Sequence, residues 1–258
     1  MTIIDTNVYV SRWPFRRLWG DDPANLISKL RQRGVKQAWV GSFDGLLHRD
    51  IASVNIRLAD ACRNFGGGML IPFGSINPKL PDWQEDVRRC HEQHKMPGIR
   101  LHPNYHGYKL DDPAFAELLG LATARNLIVQ IALEMEDDRT QSPLMRIAPV
   151  DVAPLEELVK RTPGLRLELV NCNVHNGRKY FAGMMSTGAV YMDISMQERV
   201  AGLARLNLPL DRITFGSYYP FFEIESAVMK VQESGLDEST QKGICGGNAQ
   251  RLMGTATA

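Results

Sequence analysis

Several apolar runs in this sequence end in clusters of polar and aromatic side chains with chemistry to offer. In Ile4-Asp5-Thr6-Asn7-Val8-Tyr9, strand alternation places Asp5, Asn7 and Tyr9 on one face. Gly98-Ile99-Arg100-Leu101-His102-Pro103 likewise aligns Arg100 with His102, ahead of the stretch Asn104-Tyr105-His106-Gly107-Tyr108. A guanidinium there suits bidentate capture of a substrate carboxylate or stabilisation of an oxyanion. The alternative is a structural ion pair with Glu134, Asp44 or Asp5. His102 suits general acid or base work, since an ordinary imidazole titrates near neutrality, or else it orders the loop that follows.

Further along, Gln130, Ala132 and Glu134 share a face, and the acidic stretch from Glu134 to Asp138 can supply a base, a lid or simply a solvated surface. Asn171, Cys172 and Asn173 end one more run, and Ser217, Tyr218 and Tyr219 another. Asn7, Tyr9, Asn171 and Tyr218 either form a neutral hydrogen-bonding pocket, with a phenol as weak acid, or plug the space between the strands. Trp13-Pro14-Phe15, flanked by Arg12, Arg16 and Arg17, suits a wall over an anionic ligand and equally a contact between copies of the chain.

The elements that must position these residues alternate along the chain. Strands are expected at Thr2–Thr6, Gln37–Ser42, Met69–Ser75, Gly98–His102, Leu127–Leu133, Leu165–Asn171, Ala189–Ile194 and Arg212–Ser217, with segments of helical period between them. Asp22-Pro23, Asp112-Pro113 and Asp50 mark helix starts, and Gly66-Gly67-Gly68 marks a helix stop. Eight strands with helical crossovers in one uninterrupted domain, 1–258, predict a (β/α)8 barrel, with any ligand at the carboxyl ends of the strands. G-x-G-x-x-G is absent after the first strand, which argues against a dinucleotide fold.

The composition narrows the class. In 258 residues, 30 Lys+Arg against 29 Asp+Glu leave a formal charge of +1, which gives no basic footprint for nucleic acid or an anionic membrane. Cys62, Cys90, Cys172 and Cys245 are dispersed and form no C-x-x-C pair, as expected of a reducing, cytoplasmic compartment. The opening MTIIDTNVYV enters a strand pattern without a basic leader, and no run of 18 apolar residues occurs. A small molecule is the expected partner. His91 and His94 fall on an outer helix, at the barrel end that reads as stability.

Taken in order, Ile4–Tyr9 resembles the I-D-x-H-x-H opening of the amidohydrolase superfamily, in its amidohydrolase-related second family. Gly98–Pro103 is similar to that family's G-I-K-L-H-P, Ile213–Pro220 to F-G-S-D-Y-P, and Gly246–Leu252 to G-G-N-A-x-R-L. The resemblance implies a distorted (β/α)8 barrel with a C-terminal extra helix. It also implies one or two divalent ions held by four histidines and an aspartate, at positions that here are Asn7, Tyr9, Ala132, Asn171 and Tyr218. Amide, phenol and methyl groups are poor replacements for such ligands, so no metal and no cofactor are expected. Metal-free lactonases and isomerases within the family set the leading expectation: a hydrolase acting on a small, carboxylated substrate such as a lactone. Its site would use Arg100, His102 and Tyr218, with Asn7, Tyr9, Arg12, Tyr105, His106, Glu134, Asn171 and Asn173 around the substrate. Two alternatives remain: a ligand-binding barrel without catalysis, and a hydrolase or decarboxylase with a displaced metal site.

Overall fold

A computed structural model describes residues 2–137, 139–173, 178–197 and 202–254. Eight parallel strands run in the order β1 to β8: Ile3–Val10, Val35–Ser42, Leu70–Ser75, Gly98–Leu101, Ile128–Ala132, Arg166–Val170, Ala189–Asp193 and Ile213–Thr214. The backbone beyond β8 returns to β1 through Thr6 N to Phe215 O at 2.8 Å, Tyr218 N to Asn7 O at 2.8 Å and Tyr9 N to Tyr219 O at 2.9 Å. These bonds close a (β/α)8 barrel.

The helices are α1 Pro23–Gln32, α2 Ile51–Gly66, α3 Trp83–Glu92, α4 Pro103–His106, α5 Pro113–Ala124, α6 Leu155–Arg161, α7 Arg178–Thr187, α8 Ile224–Gln232, α9 Glu238–Lys242 and α10 Asn248–Met253. Asp22 caps α1 by accepting from Ala24 N and Asn25 N, both at 3.1 Å, and Asp50 caps α2 through Ser53 N at 3.0 Å. Asp112 makes no such bond to α5; its carboxylate accepts from Lys109 N instead, which tightens the preceding turn. Helix α2 stops where Gly67 takes a left-handed φ of 53°, a conformation that costs a side-chain-bearing residue more. No helix among the described residues is long and apolar enough to cross a membrane.

Inside the barrel the side chains form layers. At the amino ends of the strands, Ile4, Trp39, Phe73, Ile128 and Tyr191 meet in one cluster with Ala249 and Leu252 of α10. Strands from opposite sides of a barrel can meet only in its interior, so α10, the expected C-terminal extra helix, plugs the base. Above this lies a polar layer from Thr6, Arg100, Gln130, Glu168 and Thr214, all fully buried. Strand β1 is bulged: Asp5 pairs Ala38 but Val8 pairs Val40, so the β1–β2 register slips by one residue. The slip corrects the simple alternation expected for β1. Asn7 and Tyr9 enter the mouth, whereas the Asp5 carboxylate sits on the β1–β8 seam, accepting from Asn7 N at 3.1 Å and Ser217 N at 3.0 Å.

Candidate functional site

Arg100 is held entirely within the polar layer. Its Nε donates to Gln130 Oε1 at 2.8 Å, Nη1 to Val8 O at 2.8 Å, and Nη2 to Thr6 O at 3.0 Å and Trp39 O at 3.1 Å. Gly41 makes room for it, because a Cβ there would stand 2.8 Å from Arg100 Cδ. The guanidinium is therefore no substrate anchor, and its partners are not the carboxylates considered from sequence. Gln130 carries the contact onward, donating to Glu168 Oε2 at 2.7 Å, while Thr214 donates to Oε1 at 2.6 Å. Burial pushes the Glu168 carboxyl up to about 7.

Above this layer, the mouth of the barrel is filled by protein. Asn7 Nδ2 donates to Asn171 Oδ1 at 2.6 Å and to Asp193 Oδ2 at 2.7 Å. The other Asp193 oxygen accepts from Asn171 N at 3.1 Å and Ser195 Oγ at 3.0 Å. Burial raises the Asp193 carboxyl to about 6 and that of Asp5 to about 7. The Met135 thioether lies among Tyr9 Oη at 3.8 Å, Tyr218 Oη at 3.8 Å and Asn171 Nδ2 at 3.6 Å. Tyr218 Oη donates to Met135 O at 2.7 Å and its ring stacks on Phe221. Tyr9 stacks on Phe43 at 4.5 Å, and Trp13 closes the cluster against Phe43, Tyr105 and Phe221. Asn7, Tyr9, Asn171 and Tyr218 are all fully buried, so they fill the mouth rather than line an open pocket.

His102 follows β4, as the residue before α4, at the edge of this plug. Its Nε2 lies 3.0 Å from Tyr9 Oη, while its buried Nδ1 has no protein partner. Burial, with His106 and Arg100 nearby, holds its pKa well below the ordinary value, so the ring is neutral at pH 7. A hollow of about 10 Å³, the size of one water, is lined by His102, Tyr105, Glu134, Met135 and Gln141 among others. A second hollow of about 20 Å³ lies across Glu134, beside Asn171 and Asn173. Outside the first, a cleft of about 610 Å³ shares Asn104, Ile147, Ala148 and Val150 with it.

Two expected site residues lie elsewhere. Arg12 is exposed on the loop after β1, where its charge bears on Asp21. His106 turns its Nε2 to Gly45 O at 2.8 Å and pins α4 to the segment after β2. Sequence reasoning missed Asp193, Met135 and Glu168. Asp193 and Glu168 are single acidic residues inside otherwise apolar runs, a signal visible on inspection; Met135 reads only as an apolar loop residue.

Among the described residues, the donors at the strand ends do not fit a divalent ion. At the strand ends an amide N–H of Asn7 points at the two oxygens, from Asn171 and Asp193, that would otherwise face a cation. A hydrogen-bond donor thus stands where positive charge would be needed, and among the described residues no three His, Cys, Asp or Glu side chains converge.

Residues 30–255 match the family model described as Amidohydrolase. No curated protein matches the chain. Among solved structures, a dihydroxybenzoic acid decarboxylase from Polaromonas sp. JS666 with bound manganese and 2-nitroresorcinol is similar at 14% identity and a TM-score of 0.78, covering 100% of this chain and 98% of that one. A 5-carboxyvanillate decarboxylase from Sphingomonas paucimobilis aligns at 14% identity and a TM-score of 0.75, with 98% of each chain covered. A 2,6-dihydroxybenzoate decarboxylase from Rhizobium aligns at 12% and 0.72, again over 98% of each. Such identities establish a shared fold and nothing finer.

Proposed function

The chain belongs to the amidohydrolase family, and on that footing we propose that it is a hydrolase working without a divalent ion on a small carboxylated substrate of the lactone type. The observation that carries this reading is the hollow lined by both His102 and Glu134 at the strand ends, beside a mouth in which Asn7 is hydrogen-bonded to Asn171 and Asp193. Lactones are activated acyl groups, so a base for water and a donor for the oxyanion are sufficient machinery. Glu134 and His102 supply one group of each kind. An acid as substrate is supported by the similar structures, which are named for carboxylated aromatic substrates. A substrate reaches the hollow from the 610 Å³ cleft when their shared wall, Asn104, Ile147, Ala148 and Val150, is displaced.

The reading is tested by following acid release from a panel of sugar-acid and aromatic lactones in excess EDTA, with hydroxybenzoates included to detect decarboxylation. Turnover that survives EDTA and falls at least a hundredfold in His102→Ala supports it. Decarboxylation abolished by EDTA overturns it.

The filled mouth favours a second reading, a barrel that binds without turnover: Tyr9 and Tyr218 are fully buried, and so are the amides between them. Silence across the panel from folded protein, together with a rise in Tm on adding small acids, selects this second reading, since a ligand bound only by the folded state must stabilise it.

A further inference from the structure

His102 and Tyr9 share one hydrogen bond, and the identity of its donor fixes what the imidazole presents to the hollow. A neutral imidazole carries a single proton on one of two nitrogens, and its partners decide which. At Nε2 the partner is Tyr9 Oη, 3.0 Å away. Burial raises the Tyr9 phenol to about 12, so it keeps its proton at neutral pH and has one to give. The Arg100 guanidinium lies over the Tyr9 ring, 4.5 Å from its centroid, and draws electron density from the phenol, which strengthens the O–H as a donor. The other acceptor in reach is the Met135 thioether at 3.8 Å, a weak one. The phenol therefore donates to Nε2, and the ring proton is left on Nδ1, the atom with no protein partner on a side chain that lines the hollow.

We infer that Tyr9 locks His102 as the Nδ1–H tautomer; Nδ1 is covered in the closed protein, so a ligand admitted beside the ring would meet a hydrogen-bond donor there, and the site would take an oxygen acceptor: an ester carbonyl, a carboxylate or a tetrahedral oxyanion. Tyr9 is a positioning residue in this arrangement. The tautomer does not depend on the hydrolase reading above; its consequence for catalysis rests on that reading. Under that reading Glu134 is the base. Its carboxylate takes a proton from water as the water oxygen bonds to the lactone carbonyl carbon, and the carbonyl electron pair becomes an oxyanion that accepts from His102 Nδ1–H. Collapse of that intermediate breaks the ring C–O bond, and the departing alkoxide takes the proton back from Glu134.

The experiment is long-range proton–nitrogen correlation on protein labelled with ¹⁵N-histidine, with His102 assigned by its absence from the His102→Gln spectrum. The expected pattern at pH 7.5 is a protonated Nδ1 and an unprotonated Nε2. In Tyr9→Phe, which keeps the ring and removes only the hydroxyl, the population shifts toward Nε2–H, the form a free imidazole prefers. A protonated Nε2 in the native protein overturns the inference, as does a Tyr9→Phe spectrum identical to the native one. If Tyr9→Phe does not fold, the native spectrum alone decides. Absence of lactone turnover with the expected tautomer sinks the hydrolase reading and leaves this one intact.

Discussion

Asn7 shows at the scale of one side chain how the mouth is held: its amide nitrogen lies 2.6 Å from Asn171 Oδ1 and 2.7 Å from Asp193 Oδ2, so an N–H donor stands between the two oxygens. Neutralising buried carboxylates by hydrogen bonds instead of by an ion leaves their pKa values high. Glu168 and Asp5 are raised to about 7 and Asp193 to about 6, with burial the largest cause in each. Unfolded carboxyls release their protons near pH 4. From roughly pH 4 to 7 the folded chain therefore holds more protons than the unfolded chain, and these groups make stability fall as pH rises through that window. His102 and His106, both lowered by burial, act in the opposite direction below about pH 6.5, where unfolded imidazoles take up protons that the folded ones refuse. Glu168→Gln isolates one contribution. The new amide accepts from Gln130 and donates to the Thr214 hydroxyl, which can turn toward Met192 O at 3.2 Å. The stability cost of this substitution is expected to be larger at pH 5 than at pH 8, by about 2 kcal/mol. Equal costs in urea unfolding at the two pH values would show that Glu168 does not titrate in this way.

The segment between β5 and α6 is an element without regular structure, held by named contacts. Arg16, whose guanidinium also lies over the Phe221 ring, pairs with the buried Glu136. Asn104 donates to Ala148 O, and Gln141 ties Glu136 O to Ile147. Removing the Arg16 partner leaves a buried carboxylate uncompensated and loosens the strap over the mouth. Arg16→Gln is expected to speed tryptic cleavage after Arg139 or Arg146 severalfold; an unchanged rate would mean that the pair does not hold the strap. This element also marks where the sequence stops being readable. The strands were legible because parallel strands buried on both faces are near-continuous apolar runs, and α1 and α2 were legible through Asp22 and Asp50. The β1 bulge has no side-chain signature, so the placement of Asp5 could not be read from alternation. Arg100 and Glu168 are 68 positions apart, linked only by the barrel's register through Gln130, and nothing local announces that the arginine is spent. Of the mouth, the replaced positions could be read by resemblance, but not Met135, which any apolar loop residue could mimic.

At the scale of the molecule, two ends of one barrel carry different burdens. The mouth is closed by hydrogen bonds under an aromatic cluster, whereas the base is closed by the chain's own last helix. Asn248 fixes that helix by donating to Leu210 O at 2.9 Å and Ile213 O at 2.5 Å, the latter in β8. Leu252 then enters the cluster that joins β1, β2, β3, β5 and β7. Because β8 is only two residues long, the barrel's last strand depends on this anchorage as much as on its ladder to β7. Leu252→Ala is expected to cost about 2–5 kcal/mol as a cavity opens among ring and aliphatic side chains. Asn248→Ala removes the buried bond to Ile213 O, whereas Leu210 O keeps the Ile213 N–H, and is expected to cost about 1–3 kcal/mol. If the base and the barrel form one cooperative unit, the loss appears as a lower midpoint in a single transition. Trp39, which is fully buried and stacks on Phe73 in the basal cluster, is the reporter. With Trp13, Trp19 and Trp83 replaced by Phe so that Trp39 alone emits, its fluorescence and the far-ultraviolet circular dichroism should move together in urea with and without Leu252→Ala. Fluorescence that changes at lower urea than the circular dichroism would show that the plug opens first, and that the eight strands hold without it.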